Sequence, residues 1–244
     1  YVTCYNCSEE IKGNGTVKFE IKEEPKIINN PYKAEIDPII PVMIEVKGGE
    51  YRRLSFGLFG SARREGTIYL IKDFRISKYL ITQKEWKSVM HRNDSIQKND
   101  SYPITNISIA DIKEYINKLN EFTSRKFSIP SREVWEYAAC GGYKFKEFKF
   151  AGSNKIEDVG WFEENSNHII KPVGQKQSNS LGIYDMSGNV FEVTSTICEG
   201  DKNSFVVKGG AYNSNIESCK INTDRYVKNT DKKNNQGLRL IEII

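Results

Sequence analysis

The sequence contains no run of apolar residues long enough to cross a membrane. A membrane-spanning helix needs about 18 or more consecutive apolar residues, and charged residues interrupt every stretch of that length. The N-terminus also lacks the basic-then-apolar pattern of a signal peptide. These two absences predict a chain without a transmembrane segment.

Cysteine and histidine are sparse, with 5 and 2 residues among 244. An odd and low number of cysteines excludes a disulfide scaffold. Cys4 and Cys7 have the spacing of half a zinc site, but a structural zinc ion needs four ligands, and His91 and His168 are far apart in the sequence. A zinc site, a local or intermolecular disulfide and free thiols all stay open for Cys4 and Cys7. The residues YVT before Cys4 match a lipid-attachment signal poorly.

A strong excess of one charge is also missing, because 36 basic residues face 32 acidic ones for a net charge of +4. Proteins that bind nucleic acid usually carry a clustered basic footprint, so we predict no nucleic-acid partner. Apolar residues, by contrast, are abundant: 38% of the residues are hydrophobic, including 13 Tyr, 12 Phe and 3 Trp. That content is sufficient for a substantial core.

Composition divides the chain near residue 41. Residues 1–41 are polar and interrupted by prolines, which predicts an N-terminal arm with one strand at 16–22. Residues 42–244 are predicted to form one domain. Within it, VMIEVKGGEYRRL at 42–54 predicts a strand, a Gly-Gly turn and a strand, and GTIYLIKDFRISKYLIT at 66–82 predicts a second strand pair that turns near Lys72 and Asp73.

Three short amphipathic helices are predicted to follow. Thr82 and Ser108 are N-cap residues with an acidic residue three positions later, and a third helix runs from Ser131 to a stop at Gly141. The apolar stripe of the second helix recurs at spacings of three and four residues, through Ile109, Ile112, Ile116, Leu119 and Phe122. Short helices among scattered strands, followed by long loops, predict an α+β fold.

Six segments resemble the motifs of formylglycine-generating-enzyme (sulfatase-modifying factor) domains and occur in the order of that family. They are YLITQKEWKSVM at 79–90, PITNISIADIKEYINKLNE at 103–121, FSIPSREVWEYAACGG at 127–142, NSLGIYDMSGNVFEV at 179–193, VVKGGAY at 206–212 and NNQGLRL at 234–240. The resemblance covers residues 42–244. It implies a loop-rich C-type-lectin-like fold of the formylglycine-generating-enzyme type, with short helices around small twisted antiparallel sheets.

The resemblance also implies a framework of core residues. Arg239 corresponds to the arginine of the closing family motif and is expected to pair with an internal group. Trp86 is expected to pack in the core rather than to contact a ligand. The other residues expected to be buried are Trp135, Tyr137, Trp161, Tyr184, Phe191, Val206 and Leu238.

Enzymes of this family hold copper(I) through two cysteines five positions apart after the glycine motif. Soft thiolates suit that ion and a hydroxyl does not. The matching positions here are Ser214 and Cys219, so the resemblance implies no copper and no oxidase activity. The related sulfoxide synthases use three histidines from an additional helical domain, which this sequence lacks. A catalytic Cys219 would need an adjacent base or a lowered pKa.

The family also has a structural calcium ion bound by the YDMSGNVFEV segment. Matched by position, its ligands are Asp185 and Glu192 through their carboxylates and Gly188 and Val190 through their carbonyls. Oxygen ligands of this kind suit Ca²⁺, and calcium is the one cofactor that the resemblance implies. The alternative is that both carboxylates bond loop amides with no ion present. The EPN and QPD signatures of sugar-binding C-type lectins are absent, which argues against calcium-bridged sugar binding.

Residues 209–240 resemble another branch of the fold more closely than they resemble the oxidases. This branch consists of the variable proteins of diversity-generating retroelements, including treponemal surface proteins, which bind ligands through a diversified C-terminal face. The residues in register are the pair Gly209–Gly210, the aromatic Tyr212, the polar run 213–215, Cys219 and the ending NNQGLRL.

The composition of this stretch is typical of binding loops. Tyr supplies large, rigid contact area, while Ser and Asn supply adaptable hydrogen bonds, and such residues act best on loops held by a rigid scaffold. Solvated turns of the same composition are the alternative. The predicted contact residues are Tyr212, Asn213, Asn215, Ile216, Glu217, Asn222, Asp224, Tyr226, Asn229 and Asp231.

We therefore predict a non-catalytic ligand-binding protein, surface-displayed and diversified, whose partner is an unidentified macromolecule of the protein class. Two alternatives stay open: a formylglycine-generating-type oxidase or other enzyme that uses Cys219, and a constant structural or assembly protein of the cell envelope. The predicted location is the cell surface or the extracellular space. Lipid anchoring through a segment outside this sequence is a further alternative.

Overall fold

The structure is a computed structural model that describes residues 38–56, 62–64 and 66–244. These residues all belong to one compact unit. The predicted N-terminal arm lies outside the described residues except for positions 38–41. The predicted strand at 16–22, Cys4 and Cys7 also lie outside them.

Along the described residues, six short strands come first, five helices follow with one two-residue strand among them, and five strands end the domain. This segregation of strands and helices is expected for an α+β fold. The strands are β1 (Met43–Val46), β2 (Gly49–Tyr51), β3 (Leu54–Phe56), β4 (Ala62–Arg64), β5 (Tyr69–Ile71), β6 (Phe74–Ser77), β7 (Phe127–Ser128), β8 (Phe191–Cys198), β9 (Asp201–Lys208), β10 (Arg225–Lys228), β11 (Gln236–Gly237) and β12 (Ile241–Ile243). The helices are α1 (Gln83–Met90), α2 (Ile109–Thr123), α3 (Arg132–Ala139), α4 (Ile156–Val159) and α5 (Glu163–Ser166), with 3₁₀ turns at Gly142–Lys144 and Ile216–Cys219. None of the described helices is both long and apolar enough to span a bilayer.

The strands form two four-stranded sheets, ordered β1-β6-β12-β7 and β10-β9-β8-β11, and two ribbons, β2-β5 and β3-β4. Neighbouring strands are antiparallel except for β8 and β11, which are parallel. The small antiparallel sheets predicted from the resemblance are therefore present.

The pairing of the first strands differs from the sequence prediction. The segments 42–54 and 66–82 do not each fold into a strand pair; they pair with each other, with Val46 opposite Phe74 and Gly49 opposite Ile71. The ladder is interrupted where the Asp73 carboxylate accepts a hydrogen bond from the Gly48 N–H at 2.8 Å. A side chain at Gly48 would overlap the Ile71 carbonyl, so this glycine permits close strand approach rather than a tight turn.

The helix starts are confirmed. Thr82 and Ser108 accept hydrogen bonds from the N–H groups of Glu85 and Asp111, whose carboxylates accept in return from the cap N–H groups. Ser131 caps α3 in the same direction, by accepting from the Val134 N–H. These reciprocal bonds satisfy donors that a helix start leaves unpaired, which is why the short helices begin at these residues.

The apolar stripe of α2 is confirmed for all of its predicted members except the last. Ile109, Ile112, Ile116 and Leu119 are buried, whereas Phe122 is exposed. Each three-residue step falls about 60° short of a full helical turn, so the stripe drifts around the helix and its last member faces away from the core.

Of the eight residues predicted to be buried, five are buried and three are only partly buried. Trp161, Tyr184 and Phe191 are only half-buried. Lys176 covers the Trp161 ring at 4.1 Å from its centroid, and Lys78 covers Tyr184 at 5.5 Å, so cations complete the packing of these two rings. The predicted residues that are buried are Trp86, Trp135, Tyr137, Val206 and Leu238.

Candidate functional site

The loop after β9 begins at a glycine pair whose backbone only glycine adopts easily. Gly209 and Gly210 have φ angles of 85° and 75°, in the left-handed region. A side chain at Gly210 would also overlap the sulfur of Cys219. The chain therefore folds back tightly over Cys219, and the Asn215 side chain caps the next turn by accepting from the Ser218 N–H at 3.1 Å.

The two positions that match the family's copper ligands are both buried. Cys219 has 0% exposure and packs with Phe150, Val159 and Phe162. Burial raises the pKa of its thiol to about 12, so the thiol is protonated at neutral pH. The Ser214 hydroxyl accepts a hydrogen bond from the Ala211 N–H at 3.1 Å. This loop therefore presents neither a thiolate nor a second soft ligand at its surface.

Four residues of the same loop, three polar and one apolar, point outward. Asn213, Asn215, Ile216 and Glu217 are exposed, and Tyr226 on β10 is 53% exposed. We call these five residues the candidate face. The face is carried by the loop and by β10, and these two segments are joined by a hydrogen bond from the Arg225 guanidinium to the Ser218 hydroxyl, 3.1 Å long.

The predicted contacts Asn229 and Asp231 lie at the other end of β10. Asn229 is exposed, and its N–H donates to the Asn203 carbonyl at 2.8 Å. The carboxylate of half-buried Asp231 accepts from the Lys228 N–H at 3.3 Å, and its own N–H donates to the Lys228 carbonyl at 3.1 Å. Asp231 therefore lies in the turn that ends the edge strand β10, and one of its carboxylate oxygens already accepts a hydrogen bond.

Tyr212 does not belong to the candidate face, which corrects its assignment as a contact. It is only 7% exposed and packs against Leu80, Ile170 and Val190. Its N–H donates to the Asn189 carbonyl at 2.8 Å, and its carbonyl accepts from the Ser166 hydroxyl at 2.5 Å. The backbone on both sides of Tyr212 is thus held by the framework, which directs its ring inward.

Asp224 is also not available to a partner, because its carboxylate is paired within the protein. Asn222 is half-buried, and its amide oxygen is fully enclosed. The Asp224 carboxylate accepts from Lys208 at 2.9 Å, from Arg53 at 3.1 Å and from Arg132 at 3.3 Å. A loop aspartate held by three framework cations serves the fold. Its sequence position gave no sign of this, because Arg53 lies 171 residues away.

One of the two predicted calcium-binding carboxylates, Glu192, already has partners for both of its oxygens. Both oxygens of Glu192 accept from the Arg239 guanidinium, each at 2.8 Å, and one also accepts from the Trp135 indole at 2.6 Å. The partner of Arg239, which sequence reasoning left open, is therefore Glu192. A calcium ion at this carboxylate would have to displace a buried guanidinium, so the ligand set does not fit.

Asp185 lies near Glu192 and Arg239 and interacts with both electrostatically, but it has a different hydrogen-bond partner. One of its oxygens accepts from the Gly174 N–H at 2.7 Å, and the other is buried without a hydrogen-bond partner in the described chain. Burial raises the pKa of Asp185 to about 6 against the opposing Gly174 bond. Across the described ranges, no group of three or more His, Cys, Asp or Glu side chains is placed to hold a metal ion.

Comparisons with known proteins agree with this fold. The profile of the sulfatase-modifying factor enzyme 1-like domain matches residues 32–244, and the chain belongs to that family. A relative in Paenibacillus barcinonensis, the chaperone protein LppX, is 30% identical over 225 residues, which cover 70% of this chain and 80% of the relative. The formylglycine-generating enzyme of Mycobacterium tuberculosis is 26% identical over 122 residues, covering 46% of this chain and 39% of that enzyme.

The fold itself is shared with solved structures. Variable protein 1 of Treponema denticola superposes with a TM-score of 0.72, at 18% sequence identity, over 82% of this chain and 94% of that protein. The C-type-lectin-like fold of the formylglycine-generating-enzyme type, predicted from six motifs, is confirmed.

Proposed function

We propose that this domain is a non-catalytic protein that binds a protein partner through the candidate face. One observation carries the proposal: within a single loop, the groups that could perform chemistry are buried, and the groups suited to recognition are exposed. Cys219 and Ser214 face the interior, while Asn213, Asn215 and Ile216 face solvent. Copper(I) chemistry of the family type needs two accessible thiolates, which this loop does not supply.

The composition of the candidate face supports a protein as the partner. Tyr226 and Ile216 supply apolar contact area, and the exposed asparagines before the 3₁₀ turn at Ile216–Cys219 supply amide groups for hydrogen bonds. Such mixed surfaces, with aromatic residues among polar ones, are typical of protein-binding loops. The name of the Paenibacillus relative, a chaperone protein, also supports a protein partner.

The proposal extends to display at the cell surface and to diversification of the face. The resemblance of residues 209–240 to variable proteins supports both, as does the shared fold of the treponemal variable protein. Diversification is compatible with the geometry, because the exposed positions can change without disturbing the core. A constant partner in the cell envelope is the second candidate, and the similarity to a chaperone protein favours it.

Site-specific photo-crosslinking tests the binding face. A benzophenone side chain would be placed at Asn213, Ile216 or Tyr226, and at Leu70 and Phe122 as exposed control positions outside the face. We expect the same protein to be crosslinked from the face positions in extracts of the native cell envelope, and not from the controls. Equal crosslinking from the controls would refute the face as the binding site.

Sequencing the gene and its downstream DNA in several isolates separates the two candidates. A near-copy of the codons for residues 209–240, with adenines wherever the gene varies, beside a reverse-transcriptase gene would support diversification. An invariant sequence without such a copy would support a constant envelope protein.

A further inference from the structure

Three framework cations meet beneath residues 220–224, the loop that follows the 3₁₀ turn at Ile216–Cys219. Lys208 is fully buried at the end of β9, while Arg53 and Arg132 are partly exposed, with 29% and 23% of their side-chain surface accessible. All three contact the carboxylate of Asp224, within 2.9 to 3.3 Å.

Two other carboxylates complete the cluster from the framework side. Glu136, also fully buried, accepts from Lys208 and from Arg53, each at 2.8 Å, and Glu133 accepts from Arg132 at 2.9 Å. The Tyr51 hydroxyl donates to the second Glu136 oxygen at 2.8 Å. Three cations therefore face two framework anions, and Asp224 supplies the missing negative charge.

The positions of these residues in the chain divide the cluster into two parts. The cations and Glu136 come from β9, α3 and the segment after β2, which are parts of the framework. Asp224 comes from the loop that leads into β10. Because burying an unpaired charge is unfavourable, the framework without Asp224 would carry an unbalanced cation next to solvent.

We propose that Arg53, Arg132 and Lys208 form a carboxylate-binding socket that this chain fills with its own Asp224. Two guanidinium groups and an ammonium group around one site match a carboxylate in charge and in donor geometry. The contact positions the loop at 220–224 against the framework, and therefore also positions the adjoining strand β10 with Tyr226. The same donors would bind a carboxylate from solution, or from another protein, in a chain that lacks Asp224.

Chemical rescue with size-matched carboxylates tests the socket. Asp224→Ala removes a carboxylate that formate replaces, and Asp224→Gly removes a group that acetate replaces. We expect each variant to lower the Tm by about 5 °C, and we expect the matched anion to restore most of that loss with saturation. Sodium chloride at equal ionic strength should not do so.

Four control proteins make the result specific. Wild-type protein and Asp231→Ala should show no saturable response to formate or acetate, because the socket is filled. Asp224→Asn should also show none, since its amide occupies the space. Adding Arg132→Gln to Asp224→Ala should abolish the rescue.

A formate effect of equal size in wild type and in Asp224→Ala would overturn the proposal. So would a rescue that persists without Arg132. If Asp224→Ala does not fold in chloride, its refolding yield becomes the readout. Formate should then restore the yield, and an equally low yield in both salts would count against the socket.

Discussion

Arg239 and Glu192 form a bidentate ion pair in the interior, with both contacts at 2.8 Å and both side chains essentially inaccessible to solvent. The remaining guanidinium donors bind the carbonyls of Ser77 at 2.8 Å and Tyr184 at 2.7 Å. One side chain thus joins the segment between β11 and β12 to β8, to the last residue of β6 and to the loop that precedes β8.

Removing one partner of this pair should destabilise the domain strongly. Arg239→Met leaves a buried carboxylate without its counter-ion, so we expect a loss of about 3–5 kcal/mol in the free energy of unfolding, measured by urea denaturation. The double variant Arg239→Met/Glu192→Gln should recover part of this loss. A single variant within about 1 kcal/mol of wild type would contradict a structural role for the pair.

Calcium should have little effect on stability. Glu192 already accepts three hydrogen bonds, so the carboxylate that calcium would need is not available. We expect the same Tm after EDTA treatment and after addition of Ca²⁺, measured by differential scanning calorimetry. A Tm that rises with calcium, and that no longer does so in Asp185→Asn, would restore the predicted ligand set.

The cysteines should differ sharply in reactivity. The Cys219 thiol is buried with a pKa of about 12, whereas Cys198 lies half-buried at the end of β8. Since the thiolate is the reactive species, iodoacetamide at neutral pH should label Cys198 and leave Cys219 unmodified, as read by peptide mass spectrometry. Both should react in denaturant. Rapid labelling of Cys219 in the native protein would revive the enzyme alternative.

Tyr212 and Tyr226 should respond in opposite ways to truncation. Tyr212→Ala empties a packed site between Leu80, Ile170 and Val190, and such changes lose about 3 kcal/mol or more of stability. Tyr226→Ala removes an exposed ring, so its stability should stay within about 1 kcal/mol of wild type while partner crosslinking from Ile216 declines. Global unfolding of Tyr226→Ala would place that residue in the core instead.

Low pH should weaken the contribution of Asp224 to the stability of the fold. Burial would raise its pKa, but attraction by Lys208, Arg53 and Arg132 outweighs burial, so its folded-state pKa lies below the ordinary value of 3.8. A depressed pKa stabilises the fold above the unfolded-state value, and this stabilisation is lost as the pH falls through the folded-state value. The Tm advantage of wild type over Asp224→Asn should be constant near neutrality and shrink below about pH 4. A constant difference at every pH would contradict the ion network.

Local rules were sufficient for several features of this domain. The helix starts at Thr82, Ser108 and Ser131 follow from side-chain hydrogen bonds within three residues, which sequence alone specifies. The glycine pair at 209–210 has the left-handed backbone that glycine adopts easily, whereas the pair at 48–49 does not, so a glycine pair alone does not predict a tight turn. The order of the motifs predicted the fold. Ser214, at a position where the family's enzymes have a cysteine, predicted that copper is not bound.

The sequence by itself therefore determined the helix caps and the fold class, and it predicted a candidate face within the last part of the chain. Tertiary structure decided which residues of that stretch point outward, which strands pair, and which charges meet. Tyr212 and Tyr226 are both tyrosines in one polar stretch, yet Asn189 and Ser166 hold the first inward. Asp224 and Glu217 are both loop acids, yet only the first reaches cations that lie up to 171 residues away. Burial and ion pairing depend on contacts between distant segments, and local sequence patterns contain no record of those contacts.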